Sequence, residues 1–493
     1  MSTESLSHER GASAEPSGST PSPDLKLEGR MGTPELVFTV LAFNGPLAAV
    51  AGYLAFIIYF GGVGAPLMLA IAGVINLVFA VGFTAMSRYM PNPGAFYSYI
   101  TAGLGRVLGL GGAFLAVFAY ALVILGVYAF FGIISDQLVS NTFSGPHIAW
   151  YWYALVAFIV ITFLSYRNIA ASARTLLVAL AVELVMVLIF NAAVLINGGP
   201  QGRSLVPFDP NVAFSGNVGS ALLFSVGLFL GFEATAVFRE EVKRPLKTVP
   251  RATYIAVLAI GVLYVLTSWL LITAYGVDKA AKVAQTSPSD MFITAVGRYV
   301  GTVGVDIVSI LLITSTFAAL LSTSNVLVRY LFSLGKDGVL PGFLGHVHRR
   351  HASPYKAALV VAGTMLIGGI IIVVSAADPG IAYGSLAGVG GFAIIVLETI
   401  TSVAVLVYFR RAGRITGVSS WQTVIAPIVA TLGLGLVVYL ALTNFSTLIG
   451  GSETLAIIFQ IVTLAVVLTG VVLALVYRRT RPAAYRRIGR QDV

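Results

Sequence analysis

Apolar residues run in long blocks along this chain, and polar residues gather in the short stretches between them. The blocks are long enough to cross a bilayer as helices, for which about 20 mostly apolar residues suffice. Twelve spans follow, with cores at 36–60, 64–86, 109–134, 150–166, 175–197, 217–238, 253–275, 303–332, 356–375, 382–409, 424–444 and 454–477. The blocks are continuous and do not alternate residue by residue, which sets aside a β-barrel. The pattern predicts an all-α polytopic membrane protein of about twelve transmembrane helices, here numbered 1–12. An even count puts both termini on one side.

Composition agrees with the pattern. Of the 493 residues, 57% are hydrophobic and 10% charged, where a soluble domain carries about 25% charged residues. There is no cysteine, so neither a disulfide framework nor a Cys metal site is available. The first 33 residues are rich in Ser, Pro, Gly and acids and lack an apolar core. They read as a disordered cytoplasmic tail and not as a signal peptide, with helix 1 serving as an uncleaved signal.

The formal charge of +10 taken alone could suggest a nucleic-acid partner. Its distribution points to a membrane face. With the N-terminus in the cytoplasm, 26 Lys and Arg fall on the cytoplasmic side, and only Arg203, Lys279, Lys282 and Arg298 fall outside. That asymmetry is the positive-inside rule, and a miscounted span would scramble it. The basic C-terminal tail, 479–493, reads as an anchor at an anionic cytoplasmic leaflet, with no nucleic acid involved.

Two spans are interrupted. Helix 1 reads "VFTVLAFNGPLAAVAGYLAF", with Asn44-Gly45-Pro46 in mid-span. Pro removes a donor and clashes with the preceding turn, and Gly lacks the stiffening of a Cβ. Helix 6 reads "ALLFSVGLFLGFEATAVF", with Gly227 and Gly231 in mid-span. In hydrocarbon, freed backbone groups survive only where they line a cavity or meet a ligand. Interruptions five helices apart point to a transporter built from inverted repeats, with its site near the membrane midplane. A Pro kink in one helix and a Gly packing face on the other are the structural alternative.

The residues now carry a resemblance. Helix 6 holds Gly231-Phe232-Glu233, followed by Glu240-Glu241, Arg244-Pro245 and Pro250-Arg251-Ala252. The loop after helix 2 reads "PNPGAFYSY", with Ala95 where a second Gly is usual, and the end of helix 8 reads "RYLFSLGKDGVLP", with Lys336 where Arg is usual. In these motifs and their order the chain resembles the amino acid–polyamine–organocation permeases over nearly all of residues 31–480. The resemblance implies a LeuT-like fold of 5+5 inverted repeats with broken helices 1 and 6. Residues 34–410 would form the ten-helix transport core, and 411–478 the peripheral helices 11 and 12. It implies a secondary active transporter of an amino acid or related organic amine in the cytoplasmic membrane, without a cofactor. Proton coupling is the expectation. An exchanger and a non-transporting sensor of the same fold are the alternatives.

In the family, amides of broken helix 1 take the substrate carboxylate and carbonyls of broken helix 6 take its ammonium. Half-helix N-termini attract anions and C-termini attract cations, so the physics agrees. This chain departs at helix 1, where Phe43, Asn44, Gly45 and Pro46 stand in place of Gly-Ser-Gly. Pro46 has no N–H to give, and the Asn44 side-chain amide is the available substitute. That departure puts a standard α-amino acid in doubt.

Three acids lie deep in spans: Glu183 in helix 5, Glu233 in helix 6 and Glu398 in helix 10, with no Lys or Arg at comparable depth. An ionised side chain there costs roughly 2.5–3.5 kcal/mol on the lenient insertion scale. Protonated carboxyls, a bound cation, or neutral acids bonding across helix interfaces are the open readings. Glu233 and Glu183 are the expected proton-coupling residues. Glu183 falls where some family members carry a helix 5 lysine. It is expected to hydrogen-bond the helix 1 break; holding a cation with Ser315 and Thr316, or meeting the substrate amine, are the other outcomes. The remaining candidates for substrate binding are Tyr120 (with Tyr128 on the same face), Phe229, Gly231 and Phe232 at the helix 6 break, and Thr314 and Ser315 on helix 8. Core packing is the alternative for the tyrosines, and helix-to-helix adhesion for the hydroxyl residues.

A membrane-embedded enzyme is the rival class. The five histidines lie in the tail or loops without intramembrane metal spacing. "HVHRRH" reads as a basic cytoplasmic loop.

Overall fold

The computed structural model describes residues 31–90, 95–167, 173–237, 242–348, 351, 353–413 and 417–489. The first 30 residues, 91–94 of the loop motif, and Glu240-Glu241 lie outside these. Among the described residues every regular element is a helix, apart from an isolated bridge between Met31 and Val242.

Ten helices are long and apolar enough to cross a membrane among the described residues. They differ from the twelve expected spans in two places. The stretch Thr33–Ser87 runs 55 residues and holds helices 1 and 2, joined by a single 3-10 turn at Gly62–Gly64. Helix 6 falls below the length of a span because it breaks, leaving Val218–Gly227 and Ala234–Val237. The other expected spans coincide with single helices: Arg106–Gln137, Trp150–Arg167, Ala173–Asn197, Pro245–Tyr275, Thr302–Lys336, Tyr355–Val374, Pro379–Ala412, Ala426–Thr443 and Glu453–Thr480. Short helices at Ala95–Leu104, Ala280–Thr286, Met291–Tyr299 and Pro482–Arg487 lie between or beyond them.

The surface identifies the solvent. Large apolar side chains are buried inside, and others stand exposed along the outer faces: Val156, Ile159 and Phe163 on helix 4, Ile367 and Ile371 on helix 9, Leu432 and Leu436 on helix 11, Leu464 and Leu468 on helix 12. Apolar surface on this scale calls for a hydrocarbon neighbour. The chain is a multi-pass membrane protein.

The break in helix 1 follows from three consecutive residues. Helix 1 begins at Thr33 with the Gly32 N–H donating to Glu35 Oε2 (2.6 Å) and Pro34 in the first turn, where a missing N–H costs nothing. It runs to Asn44. Gly45 then adopts φ 60°, ψ 71°, the left-handed conformation that closes helices. Pro46 restarts the helix, again at a position that needs no donor. The second half continues through a π-helical turn at Ala49–Tyr53 to Gly61.

Helix 6 ends differently. After Gly227 the backbone makes successive tight turns, with Phe229 N–H on Val226 O, Leu230 N–H on Gly227 O and Ala234 N–H on Gly231 O (each 3.1 Å). Gly231 sits at φ 112°, a region L-residues rarely enter. The carbonyls of Leu228 and Leu230 leave the helical ladder in this stretch.

Two of the quoted sequence motifs meet at one end of the bundle. Tyr97 Oη donates to Asp337 Oδ2 (2.9 Å) and accepts from the Gly489 N–H (2.7 Å). The motif after helix 2, the motif after helix 8 and the end of the chain are thus fastened together.

Candidate functional site

The two breaks touch, and Asn44 joins them. Its Nδ2 donates to the carbonyls of Leu228 (2.7 Å) and Leu230 (3.0 Å), the groups that the helix 6 break releases. Its Oδ1 accepts from the hydroxyl of Tyr264, on helix 7. Both amide protons and the amide oxygen are used, and two orphaned carbonyls are satisfied. Asn44 was expected as a donor to a substrate carboxylate. The structure puts that donor on the helix 6 carbonyls.

Glu183 serves the other half of helix 1. Its Oε2 accepts from Ser315 Oγ (2.8 Å), and the carboxylate lies near Leu47, one residue past Pro46. An acid at a helix N-terminus is favourably placed against the dipole and supplies an acceptor for an unpaired donor. Glu183 lies beside the helix 1 break, near Leu47. Thr316 does not join it: its buried hydroxyl has no partner among the described residues.

Glu233 folds back on its own break. Its Oε2 accepts from the Gly231 N–H (2.7 Å) and its Oε1 from Tyr120 Oη (3.1 Å). Tyr120 leans on Tyr330 at 5.7 Å between ring centroids. Glu398 is buried within electrostatic reach of Glu233, and its Oε2 has no partner among the described residues.

A cavity of about 80 Å³ lies beside the breaks. Helix 1 lines it with Phe43, Asn44, Ala48, Ala49 and Tyr53, and helix 6 with Gly227, Leu228 and Leu230. Val123, Val127 and Phe130 of helix 3, Thr316, Ala319 and Thr323 of helix 8, and Tyr383 of helix 10 complete it. Among the expected site residues, Phe43 and Asn44 face this space. Gly45, Pro46 and Gly231 form the breaks and do not line the cavity, while Ser315 and Tyr120 hold Glu183 and Glu233.

Four expected residues are turned away. Phe232 packs on Phe79 and Phe83 of helix 2 (5.9 and 6.5 Å between centroids). Phe229 lies over Gly73 of helix 2 and Gly261 of helix 7. Neither covers the cavity. Thr314 is exposed and returns its hydroxyl to Leu311 O (2.9 Å). Tyr128 is buried against Phe158 of helix 4 and also stands apart from the cavity.

The covering role falls to residues the sequence reading missed. Phe130 stacks on Tyr383 (4.7 Å), and Tyr53 meets Phe224 and Tyr383 edge-on (5.7 and 6.2 Å). Phe56 continues the layer onto Phe224 (5.5 Å). One signal was available: a tyrosine beside a glycine inside a span, at Gly52-Tyr53 and at Tyr383-Gly384. Beyond this layer opens a vestibule of about 500 Å³ that includes Gln137, Asp290 and Asp378. Gln137 Nε2 donates to Asp290 Oδ1 (2.8 Å), and burial pushes the Asp290 carboxyl above the ordinary range. Asp378 caps helix 10 by accepting from the N–H groups of Gly380 and Ile381 (2.9 and 3.0 Å). No group of three His, Asp or Glu among the described residues is arranged to hold a metal ion.

The two broken helices are pinned to each other beside a cavity, and comparison with known proteins identifies the family. The family described as amino acid permease matches residues 36–482. The chain belongs to that family. It is similar to the branched-chain amino acid permease BcaP of Bacillus subtilis (strain 168), with 25% identity over 63% of this chain and 68% of the relative. It is also similar to the methylthioribose transporter of the same strain, with 26% identity over 80% of this chain and 82% of the relative. The low-affinity putrescine importer PlaP of Escherichia coli (strain K12) shares 23% identity over 61% of this chain and 66% of the relative. The permease therefore stands among transporters of small organic solutes. Those names point away from an enzyme.

Proposed function

We propose that this permease is a secondary active transporter of an amino acid or related organic amine in the cytoplasmic membrane, driven by protons. The observation that carries the reading is the contact between the two breaks through Asn44, beside a cavity roofed by aromatic rings. Related chains named for amino acid and putrescine transport support the solute class. In this reading the chain has twelve spans, both termini are cytoplasmic, helices 1–5 and 6–10 are inverted repeats, and helices 11 and 12 are peripheral. Tyr53, Phe224 and Tyr383 close the path to the outer vestibule.

Glu233 is the proton carrier in this scheme. Its carboxylate grips the Gly231 N–H, so a change in its protonation alters the hold on the helix 6 pivot. Glu183, held by Ser315 beside the restart of helix 1, is the second carrier and is coupled to helix 1.

Uptake into proteoliposomes under an imposed inward proton gradient tests the proposal. The wild type should accumulate solute saturably and lose accumulation with a protonophore. Glu233→Gln keeps an acceptor for the Gly231 N–H while removing the ionisation. It should lose the response to the gradient by at least about tenfold (about 1.4 kcal/mol in the driving step) while retaining exchange. Unsaturable equilibration would mark a channel. Sodium-driven accumulation indifferent to the proton gradient would overturn the coupling.

A further inference from the structure

We infer that residues 484–489 are a latch, which holds shut the end of the bundle opposite the vestibule and lets go in each transport cycle. The inference rests on the transport reading and adds a moving part to it.

Helix 3 sets the two ends. Its 32 residues, Arg106–Gln137, span about 48 Å at 1.5 Å per residue. Gln137 lines the vestibule. Arg106 lies at the latch, where its Nε donates to Arg486 O (3.3 Å) and its guanidinium stands over the Tyr485 ring at 5.9 Å.

The latch is seated by burial and not by charge. Arg486 and Arg487 are exposed, as an anchor on an anionic leaflet requires. The next two residues turn inward. Ile488 is fully buried. Gly489 is buried at φ 75° and gives its N–H to Tyr97 Oη (2.7 Å), which itself donates to Asp337 Oδ2 (2.9 Å). A Cβ on Gly489 would stand 2.6–2.9 Å from the Thr101 side chain, so glycine alone fits this seat. Tyr97 thus stitches together the segment after helix 2, the turn after helix 8 and the latch.

The short helix Ala95–Leu104 carries this hold to the helix 6 break. Residues three or four apart share a helix face. Tyr97 and Thr101 present one face to the latch. Phe96 and Tyr99 present another to Phe83 of helix 2, at 6.3 and 4.6 Å between centroids. Phe83 in turn meets Phe232 at 6.5 Å, between Gly231 and Glu233 in the chain. Close-packed rings transmit strain. A helix 6 pivot that moves in transport therefore displaces the short helix, which Tyr97 ties to the latch and to Asp337. Alternating access requires this end to open when the vestibule closes, and that step must break the tie.

A reversible cross-link tests the release. The chain has no cysteine, so two introduced thiols act alone. Ala484 Cβ lies 3.6 Å from the place of a Cβ on Gly338, within the ~3.5–4.5 Å that a disulfide spans. The full chain carrying Gly338→Cys and Ala484→Cys would be assayed in proteoliposomes for uptake of the standard amino acids and putrescine, oxidised and then reduced, with the bond confirmed by intact mass. Oxidation should cut uptake at least about tenfold, since release of a gate limits turnover, and a reductant should restore it. Full uptake with the bond formed would make the segment a static brace, and failure of the bond to form would deny its seat. Either result overturns the latch and leaves the transport reading standing. A wild type that takes up none of these solutes counts against the transport reading, and the second arm then decides the latch.

That arm avoids Gly338, whose φ of 75° a cysteine would strain. Ile488→Glu puts a charge in the buried seat and should unseat the latch. The population then shifts toward the conformer with the vestibule closed, so a thiol introduced by Ser385→Cys, in the vestibule lining, should alkylate severalfold more slowly. Arg487→Glu alters only an exposed charge and should leave that rate unchanged. An unchanged rate with Ile488→Glu, or equal slowing with Arg487→Glu, overturns the latch.

Discussion

Gly231→Ala is expected to abolish uptake. Gly231 has φ 112°, and an L-residue held in a sparsely populated backbone region costs of order 1–3 kcal/mol. A Cβ at this position would also stand 2.5 Å from Phe43 Cδ1 and 3.1 Å from Phe43 Cε1. Real atoms do not approach that closely, so the pivot or the Phe43 ring must shift. Phe43 lines the cavity, and the Gly231 N–H holds Glu233 at 2.7 Å. One added methyl group therefore disturbs the helix 6 break, the cavity wall and the buried acid together. Gly227→Ala provides the contrast, since a Cβ there would meet only Gly391 Cα at 4.0 Å. Proteoliposome uptake should fall below a tenth of wild type for the Gly231 variant and stay near wild type for the Gly227 variant. Wild-type uptake by Gly231→Ala would show that the break does not depend on this backbone conformation.

Asn44→Asp is expected to have the largest effect on stability. The wild-type amide satisfies two buried carbonyls and takes the Tyr264 hydroxyl. A carboxylate has no protons for the carbonyls and would face them with like partial charge. Leaving a buried acceptor unsatisfied costs about 1–3 kcal/mol, so two of them cost about 2–6 kcal/mol, before any charge is desolvated. Asn44→Ala removes the same two donors without adding charge and should cost less than the aspartate variant. Unfolding midpoints in detergent would rank them wild type, alanine, aspartate. An aspartate variant as stable as wild type would mean that Asn44 does not hold the breaks together.

The membrane fold was legible because hydrocarbon imposes a simple rule. Backbone groups must bond within the segment, so each span announces itself as an apolar run. Pro46 and Gly231 marked the breaks for the same reason, since each removes something a continuous helix requires. The short helix Met291–Tyr299, with nine residues, carries no such signature and was not expected.

Side-chain direction was less legible. Successive residues on a helix point about 100° apart, so Thr314, Ser315 and Thr316 cannot share one task. Ser315 goes to Glu183, Thr316 faces the cavity and Thr314 faces outward. At helix 6 the period itself fails, because 228–233 are turns. Nothing in the pattern says that Phe229 and Phe232 point to helices 2 and 7. The link from Tyr264 to Asn44 crosses 220 residues and leaves no local trace at either end.

The central claim is that the solute binds in the cavity between the two breaks. The chain has no cysteine, so a single introduced thiol reports without background. Thr316→Cys would place it in the cavity, and Thr314→Cys two residues away on the exposed face. Alkylation would be timed in proteoliposomes with and without a transported amino acid or amine. Protection confined to the Thr316 variant, slowing its reaction severalfold, is the predicted result. Equal labelling rates with and without the solute at Thr316, under conditions where the solute is transported, would contradict the account.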